Sequence, residues 1–184
     1  IYHTEKASKK LLYALEEMNK LKDRSNATEN ELQLTYLRLN DVIMLLSKVI
    51  EVKDAYTAGH QQRVAEIAVQ VAEEVGLSKD QIEAIRVASL IHDIGKIGIP
   101  SELLSKPAIL EDVEFSLLKN HVVLGYKILK NVTFQYPIAE IVYQHHERED
   151  GTGYPNHLKS EDIMIEAKII AVADVIEAMM SHRP

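Results

Sequence analysis

The sequence predicts an all-α protein, a helical bundle preceded by a long N-terminal helix or coiled-coil segment. Three observations predict it. Glycine and proline are scarce (7 and 5 of 184 residues) and tryptophan is absent, while Ala, Leu, Ile, Val, Glu and Lys dominate. Apolar residues recur at helical spacing in one segment after another. Glycine or proline marks several of the breaks between those segments, at Gly76, Gly95, Pro100 and Pro137.

Residues 1–50 form a segment of their own. Steps of four and three residues lead through Leu11, Leu15, Met18, Lys22, Ser25, Glu29, Leu32, Tyr36, Leu39, Ile43, Leu46 and Ile50. This is a heptad seam, and such a seam favours a coiled coil and therefore a homodimer. Its polar members, Lys22, Ser25 and Glu29, cluster in the middle, where the coil is expected to weaken or break between two helices. From Leu32 onward, apolar residues off the seam (Leu34, Leu37, Val42, Leu45 and Val49) favour packing against the chain's own domain instead.

Residues 51–184 read as a run of helices. The first spans about Gly59 to Val75, with Val64, Ile67, Ala68, Val71 and Val75 on one face and Gly76 just past its end. Ser78 and Gln81 have capping-box spacing and open the next, which runs to His92-Asp93 and stops near Gly95. Ile97 to Pro100 is expected to be a loop. A helix follows over about Glu111–Lys130, and Pro137, as a first-turn proline, begins another that reaches His145-His146. Asp150 to Pro155 is a turn-rich loop, and an apolar helix over Ile165–Met180, containing Asp174, closes the run.

Composition narrows the function. The chain starts at Ile1 and stops at Pro184 directly after an apolar helix, and is expected to be a fragment of a longer protein. With no cysteine, it has no disulfide and no thiolate metal site. A cytoplasmic location is expected for this segment, with which the lack of cysteine is compatible; no apolar run approaches the roughly 18 residues of a membrane span, and a membrane tether elsewhere in the full-length protein stays open. A net charge of −7 argues against DNA or any general nucleic-acid surface. It leaves room for a small anionic substrate, because bound cations can dominate a site's local field.

The chemistry gathers in histidines and acids. His92-Asp93 follows a hydrophobic run, where an ionised carboxylate is costly unless something positive compensates it. A metal does so, and the two oxygens of Asp93 can bridge two metals. His145 and His146 are adjacent, so both reach one metal only near a helix end. His60, His121 and Asp174 then supply single ligands from three further helices. Taken singly, each has an ordinary reading: a half-buried histidine, a helix C-terminal pair, a hydrogen-bonded acid. Together they are seven ligands, too many for one ion and suited to two that share a carboxylate. Imidazole with carboxylate suits Fe, Mn, Zn or Ni better than Ca or Mg. Two metals about 3.5–4 Å apart are the arrangement that hydrolyses phosphate esters.

Three motifs sharpen this. Tyr56-Thr57-Ala58-Gly59-His60-Gln61-Gln62-Arg63-Val64, His92-Asp93-Ile94-Gly95-Lys96-Ile97-Gly98-Ile99-Pro100, and His145-His146-Glu147 through Gly153-Tyr154-Pro155 resemble the conserved blocks of the HD-GYP family, over about residues 51–184. The resemblance implies a helical HD fold as domain 51–184, after a linker of residues 1–50. It implies metal ligation by His60, His92, Asp93, His121, His145, His146 and Asp174. Some members hold a third metal through a glutamate four residues before the first histidine; Tyr56 stands there, so two divalent transition metals, iron or manganese, are expected. Glu177 stands where many members have Asp, an exchange expected to act on contacts to guanine or ribose. Asn156-His157 replaces the usual residue-plus-Gly.

The activity implied is metal-dependent hydrolysis of cyclic di-GMP to pGpG, with slower conversion to GMP. Asp93 and Lys96 are the expected catalytic residues, and Lys96, Tyr154 and Arg183 the expected substrate contacts. Lys96 would meet a phosphate or the leaving 3′-oxygen, and Arg183 the second phosphate. An upstream sensor domain and a diguanylate cyclase contact through the GYP loop are the further partners implied. Two alternatives remain at this point: a cyclic di-GMP receptor with little turnover, and an HD-type phosphohydrolase for another cyclic dinucleotide.

Overall fold

The structure, a computed structural model, describes residues 2–54 and 58–181, with the side chains among them other than those of residues 2–16, Asn19 and Asp23. Seven α-helices and two short 3₁₀ turns make up the described residues, and no strand is found among them. The expectation of an all-α bundle behind a long N-terminal helix holds. By compactness the chain divides into Ile1–Val42 and Ile43–Pro184.

Helix α1 (Tyr2–Lys53) is unbroken. The interruption expected between Lys22 and Glu29 is therefore absent. That stretch holds no glycine or proline, and the Thr28 hydroxyl donates back to the Arg24 carbonyl (3.0 Å). Its polarity weakens an apolar seam without weakening the helix that carries it. The side chains of Leu11 and Leu15 lie outside the described residues. The last turns of α1 belong to the second unit, where Ile50 and Ser47 are buried and Ile43 and Met44 pack against the core.

In that unit α2 (His60–Val75) lies against α3 (Lys79–Ile91) and α7 (Ile165–Met180). Its buried face is His60, Gln61, Val64, Ala65, Ala68 and Ala72. The predicted face is rotated from this: Val75 is exposed, and Ile67 and Val71 are only partly buried. Apolarity favours the larger side chains, but close helix approach selects the alanines, whose small volume lets neighbours in. Gly76 ends α2 in the left-handed region (φ 81°), its N–H bonding to the Glu73 carbonyl and that of Leu77 to Ala72. The capping box opens α3 as the sequence predicts, with the Gln81 N–H donating to the Ser78 hydroxyl and the Ser78 N–H to the Gln81 side chain.

Of the loop expected over Ile97–Pro100, Ile99 and Pro100 are irregular, but Ile97 and Gly98 end a regular turn that begins at Ile94. Residues 94–98 form a 3₁₀ turn, with Lys96 N–H bonded to the Asp93 carbonyl (2.9 Å) and Ile99 N–H to that of Lys96 (3.0 Å). A one-turn α4 (Ser101–Leu104) follows, then α5 (Asp112–Leu129), which a second box, Glu111 with Glu114, opens. Helix α6 (Ile138–Gln144) is preceded, not begun, by Pro137, whose carbonyl accepts the Ile141 N–H. The core is filled by Ile85, Ile91, Ile141, Val142, Ile170 and their neighbours, all but sealed from solvent.

Gly95 sets the geometry of the site to come. A Cβ there would lie 1.8 Å from the His121 carbonyl oxygen and 2.5 Å from the Gly125 nitrogen, both backbone atoms of α5. Only a glycine lets the turn after His92-Asp93 rest directly on the stretch of α5 that carries His121. Gly95→Ala is expected to cost roughly 2–3 kcal/mol, because neither backbone can yield without strain. Urea denaturation of the variant against the parent measures this, and an unchanged midpoint would show that the two segments separate freely.

Candidate metal centre

Each histidine of the site is placed by a helix. His92 caps the C-terminal end of α3, His121 sits within α5, His145 caps α6 and His146 follows it; His60 opens α2 and Asp174 lies on α7. Their ring orientations have a common cause. The Nδ1 atoms of His92, His121 and His145 lie 2.7, 2.7 and 2.5 Å from the carbonyl oxygens of Ser89, Leu118 and Val142, each three residues earlier. A carbonyl only accepts, so each Nδ1 carries the proton and each Nε2 keeps its lone pair. His60 is fixed differently, its Nδ1 against the Glu177 carboxylate and its Nε2 3.1 Å from Asp174 Oδ1.

These lone pairs converge. His60, His92 and Asp174 form one group whose donor atoms lie within 4.8 Å of one another, and His121, His145 and His146 form a second. His92 and His145 also join a third group with Asp93. Asp93 stands between the first two, with Oδ2 3.4 Å from His92 Nε2 and Oδ1 3.6 Å from His121 Nε2. The adjacent His145 and His146 reach one centre because α6 ends at Gln144 and the chain turns there. All seven predicted ligands are thus brought together. Tyr56 and Arg183 lie outside the described residues.

The donor set fits metal ions on its own evidence. The Nε2 atoms of His121 and His145 are buried and make no hydrogen bond among the described residues. A buried acceptor without a partner is costly, and a cation supplies the missing one. Burial, with His146, His92 and His121 around it, holds His145 well below the ordinary imidazole range; burial also lowers His121, and lowers His146 to about 3. These rings are neutral and ready to ligate. For Asp93, burial opposes ionisation, but Lys96 and the surrounding histidines outweigh it and keep the carboxyl well below the usual range.

Three residues support the site through partners that the sequence reading did not give. Asp54, 6% exposed, holds Lys96 Nζ at 3.0 Å, while Asp93 Oδ2 holds it from 2.8 Å. Burial opposes the charge on Lys96, but Asp93 and Asp54 overcome it and raise its pKa further. Glu177, the residue that stands where many members have Asp, is buried beside His60. It accepts from Arg63 Nε (2.8 Å) and from the Ser181 hydroxyl, and lies against His60 Nδ1. Its extra methylene carries the carboxylate to the ring, and these partners, against the desolvation of burial, bring its pKa to about 2. Glu147 is the third, accepting the N–H groups of Asn156 (2.7 Å) and Leu158 (3.0 Å) and so closing the loop behind His146.

That loop contains Tyr154, stacked on His146 with ring centroids 4.8 Å apart, and a cis Tyr154-Pro155 bond. Gly153 is required by contact, since a Cβ there would meet the Arg148 nitrogen at 2.3 Å. His157 holds φ at 56°, which accounts for the glycine usual at that place in the motif.

A model of the HD domain matches residues 44–184. The chain belongs to the HD-domain family. With His92-Asp93 as its HD pair and Gly153-Tyr154-Pro155 in the loop over it, it is an HD-GYP domain. The HD-GYP chain is 43% identical over 148 residues to a cyclic di-GMP phosphodiesterase of Thermotoga maritima, covering 79% of this chain and 40% of that protein. It is 39% identical to the cyclic di-GMP phosphodiesterase response regulator RpfG of Xanthomonas campestris, covering 89% and 43%. A 3′3′-cGAMP-specific phosphodiesterase of Vibrio cholerae is 36% identical, with 84% and 36% covered. The chain thus spans less than half the length of these relatives. Among solved structures it resembles an HDG"Y"P protein of Bdellovibrio bacteriovorus (TM-score 0.59, 22% identity, 66% of this chain and 40% of that one). The HD domain of the L. monocytogenes phosphodiesterase PgpH gives a TM-score of 0.56 at 24% identity, with 76% of each covered. These structures support the fold.

The neutral histidines make the metal-stripped HD domain sensitive to acid. His121, His145 and His146 are neutral when folded but take up protons near the ordinary value of 6.5 once unfolded. The unfolded state then binds more protons, so stability is full above about pH 6.5 and falls as pH drops below it. His60, whose pKa is raised, works the other way but is one group against three. The denaturation midpoint of chelator-treated protein is expected to fall steadily from about pH 7 to pH 5; a rising midpoint would mean these rings are charged when folded.

Proposed function

We propose that this chain is a binuclear metal-dependent phosphodiesterase that hydrolyses cyclic di-GMP to linear pGpG, with GMP as a slower product. The observation that carries this reading is the pair of donor groups flanking Asp93, each within reach of one carboxylate oxygen. His60, His92 and Asp174 would hold one ion, His121, His145 and His146 the other, and Asp93 would bridge them. Mixed imidazole and carboxylate donors suit iron or manganese. Bound there, the ions would supply Lewis acidity toward phosphate and a lowered pKa for water.

The chain's own residues do the rest. Asp93 stays ionised through Lys96, and Asp54 holds Lys96 in place from the other side. An ammonium has three N–H groups; two face these carboxylates, and the third is assigned to a phosphate oxygen of the substrate. Tyr154, packed on His146 with Lys119 Nζ 5.3 Å from its ring, is assigned to the substrate's base or to shaping the loop over it. Arg183 is assigned to the second phosphate. Cyclic di-GMP as the substrate draws its support from the Thermotoga and Xanthomonas relatives. The Vibrio relative favours a second reading, hydrolysis of another cyclic dinucleotide by the same centre.

In the whole protein, the reading places the domain in the cytoplasm under an upstream sensor, with the GYP loop open to a diguanylate cyclase. No helix among the described residues is long and apolar enough to cross a membrane.

The test is hydrolysis by protein purified anaerobically and loaded with manganese or ferrous iron, followed by separation of nucleotides. Cyclic di-GMP is expected to give pGpG, with about two metal ions per chain by elemental analysis, and Asp93→Ala is expected to lower the rate by at least ~100-fold. Full activity of metal-free Asp93→Ala protein would end this reading. Binding without turnover would point to a receptor, and faster cleavage of 3′3′-cGAMP in a parallel assay would transfer the assignment to the second substrate.

A further inference from the structure

The N-terminal helix carries a heptad seam other than the one its apolar residues first suggest. On the first seam, Ile50 is 3% exposed and Ile43 packs against the core, so neither can face another chain. That seam also sets Lys22 and Glu29 at its centre, where two parallel copies would oppose like charges. Keeping Met18, Ser25, Leu32, Leu39 and Leu46 but moving each member between them back by one residue changes both facts. Three- and four-residue steps from Met18 now pass through Leu21, Leu32, Leu39 and Val42, with Ser25, Thr28 and Thr35 at the positions between. None of these is charged, and the five apolar ones are 53–70% exposed. The same steps reach Leu46 and Val49, exposed on the part of α1 beyond Val42.

The flanks of this second seam are charged in a complementary way. With Met18, Ser25, Leu32 and Leu39 as the a positions, the preceding g positions are Glu17, Arg24, Glu31 and Arg38. The e positions after Leu21 and Thr28 are Lys22 and Glu29. A parallel, in-register pair of helices brings each g residue beside the e residue five positions on in the other helix. Glu17 then meets Lys22 of the second copy, and Arg24 meets Glu29. The two residues that spoil the first seam become its pairing charges in the second. They also fall where the interior is weakest, beside Ser25 and Thr28. Among the described residues Glu17 pairs with Lys20 one turn away (3.0 Å), an exposed pair of little strength.

We infer that two copies of this chain associate in parallel and in register along α1, through the seam from Met18 to Val42 and with Glu17–Lys22 and Arg24–Glu29 pairs across it. The partner is a second copy, because the complementarity is between the chain and itself. This association stands apart from the reaction proposed above and needs neither metal nor substrate.

The chain has no cysteine, so single replacements report on the seam directly. Sedimentation equilibrium of the full chain is expected to show a dimer. Under mild oxidation, Thr28→Cys and Val42→Cys are expected to give disulfide-linked dimers, whereas Tyr36→Cys, on the first seam only, is expected to cross-link far more slowly. Glu17→Lys is expected to raise the dimer dissociation constant roughly tenfold, and Glu17→Lys with Lys22→Glu to restore it. All are helix-surface changes, and unchanged helical circular dichroism confirms that the chain still folds. A monomer at every concentration, cross-linking through Tyr36→Cys but not Thr28→Cys, or indifference to the charge swap overturns the inference.

Discussion

The metal centre depends on one constraint: buried imidazoles must present Nε2, not Nδ1, to a common point. Three of them meet it by the same means, an Nδ1–H donated to the carbonyl one turn back on their own helix. That bond fixes tautomer and ring direction together, without calling on any other element. The cost is that the Nε2 atoms of His121 and His145 make no hydrogen bond among the described residues, in a sealed interior, which polar burial alone does not justify. A cation resolves it. The site is therefore assembled from the inside of each helix outward, and helix packing has only to bring the ends together.

Around this neutral set the charges are arranged in two clusters. Lys96 is clasped by Asp93 and Asp54, and Arg63 with His60 faces Glu177. Carboxylates this deeply buried survive only with such partners. The arrangement also divides labour between oxygens. Asp93 Oδ2 meets Lys96 and His92, while Oδ1 is turned toward His121. A carboxylate held in this way presents a different oxygen to each side of the site. The pairing of Lys96 also narrows what that residue can do. It acts first on the ionisation of Asp93, and any contact to a phosphate uses what remains of its donor capacity.

Much of this was legible in the sequence, and the failures have physical reasons. Helix existence could be read, and so could the candidate ligands His92-Asp93, His145-His146 and Asp174, each in a local signal: a histidine beside an acid, paired histidines before a turn, an acid in an apolar helix; His60 and His121 became candidates only as members of the set. Asp54, Glu147 and Glu177 carried no such signal. Their partners, at Lys96, at the Asn156 and Leu158 amides and at His60, are set by packing between segments distant in sequence. The face of α2 was misjudged for a related reason. Apolarity ranks valine above alanine, whereas close helix approach ranks them the other way. At Ile43 and Ile50 the seam packs on the chain's own core, as expected from Leu32 onward, although spacing alone cannot tell which members of an apolar stripe are taken by the core and which are left exposed.

The GYP loop shows how a surface segment can be held to the centre without contributing a ligand. Glu147 follows directly on His146, and its carboxylate takes both Asn156 and Leu158 N–H groups. The loop's far limb is thereby tied to the residue next to a ligand. The Tyr154 N–H donates to the His146 carbonyl (3.1 Å), and the Tyr154 ring stacks on the His146 imidazole. Gly153 makes that approach possible, being the one residue that fits against the Arg148 nitrogen. His146 differs from His92, His121 and His145 in this respect: its support comes from the loop and not from a carbonyl one turn back. Any force that shifts Tyr154 therefore acts on one ligand of the second donor group and leaves the first, His60, His92 and Asp174, in place. The loop is the part of this fold through which contact at the surface can alter the metal centre.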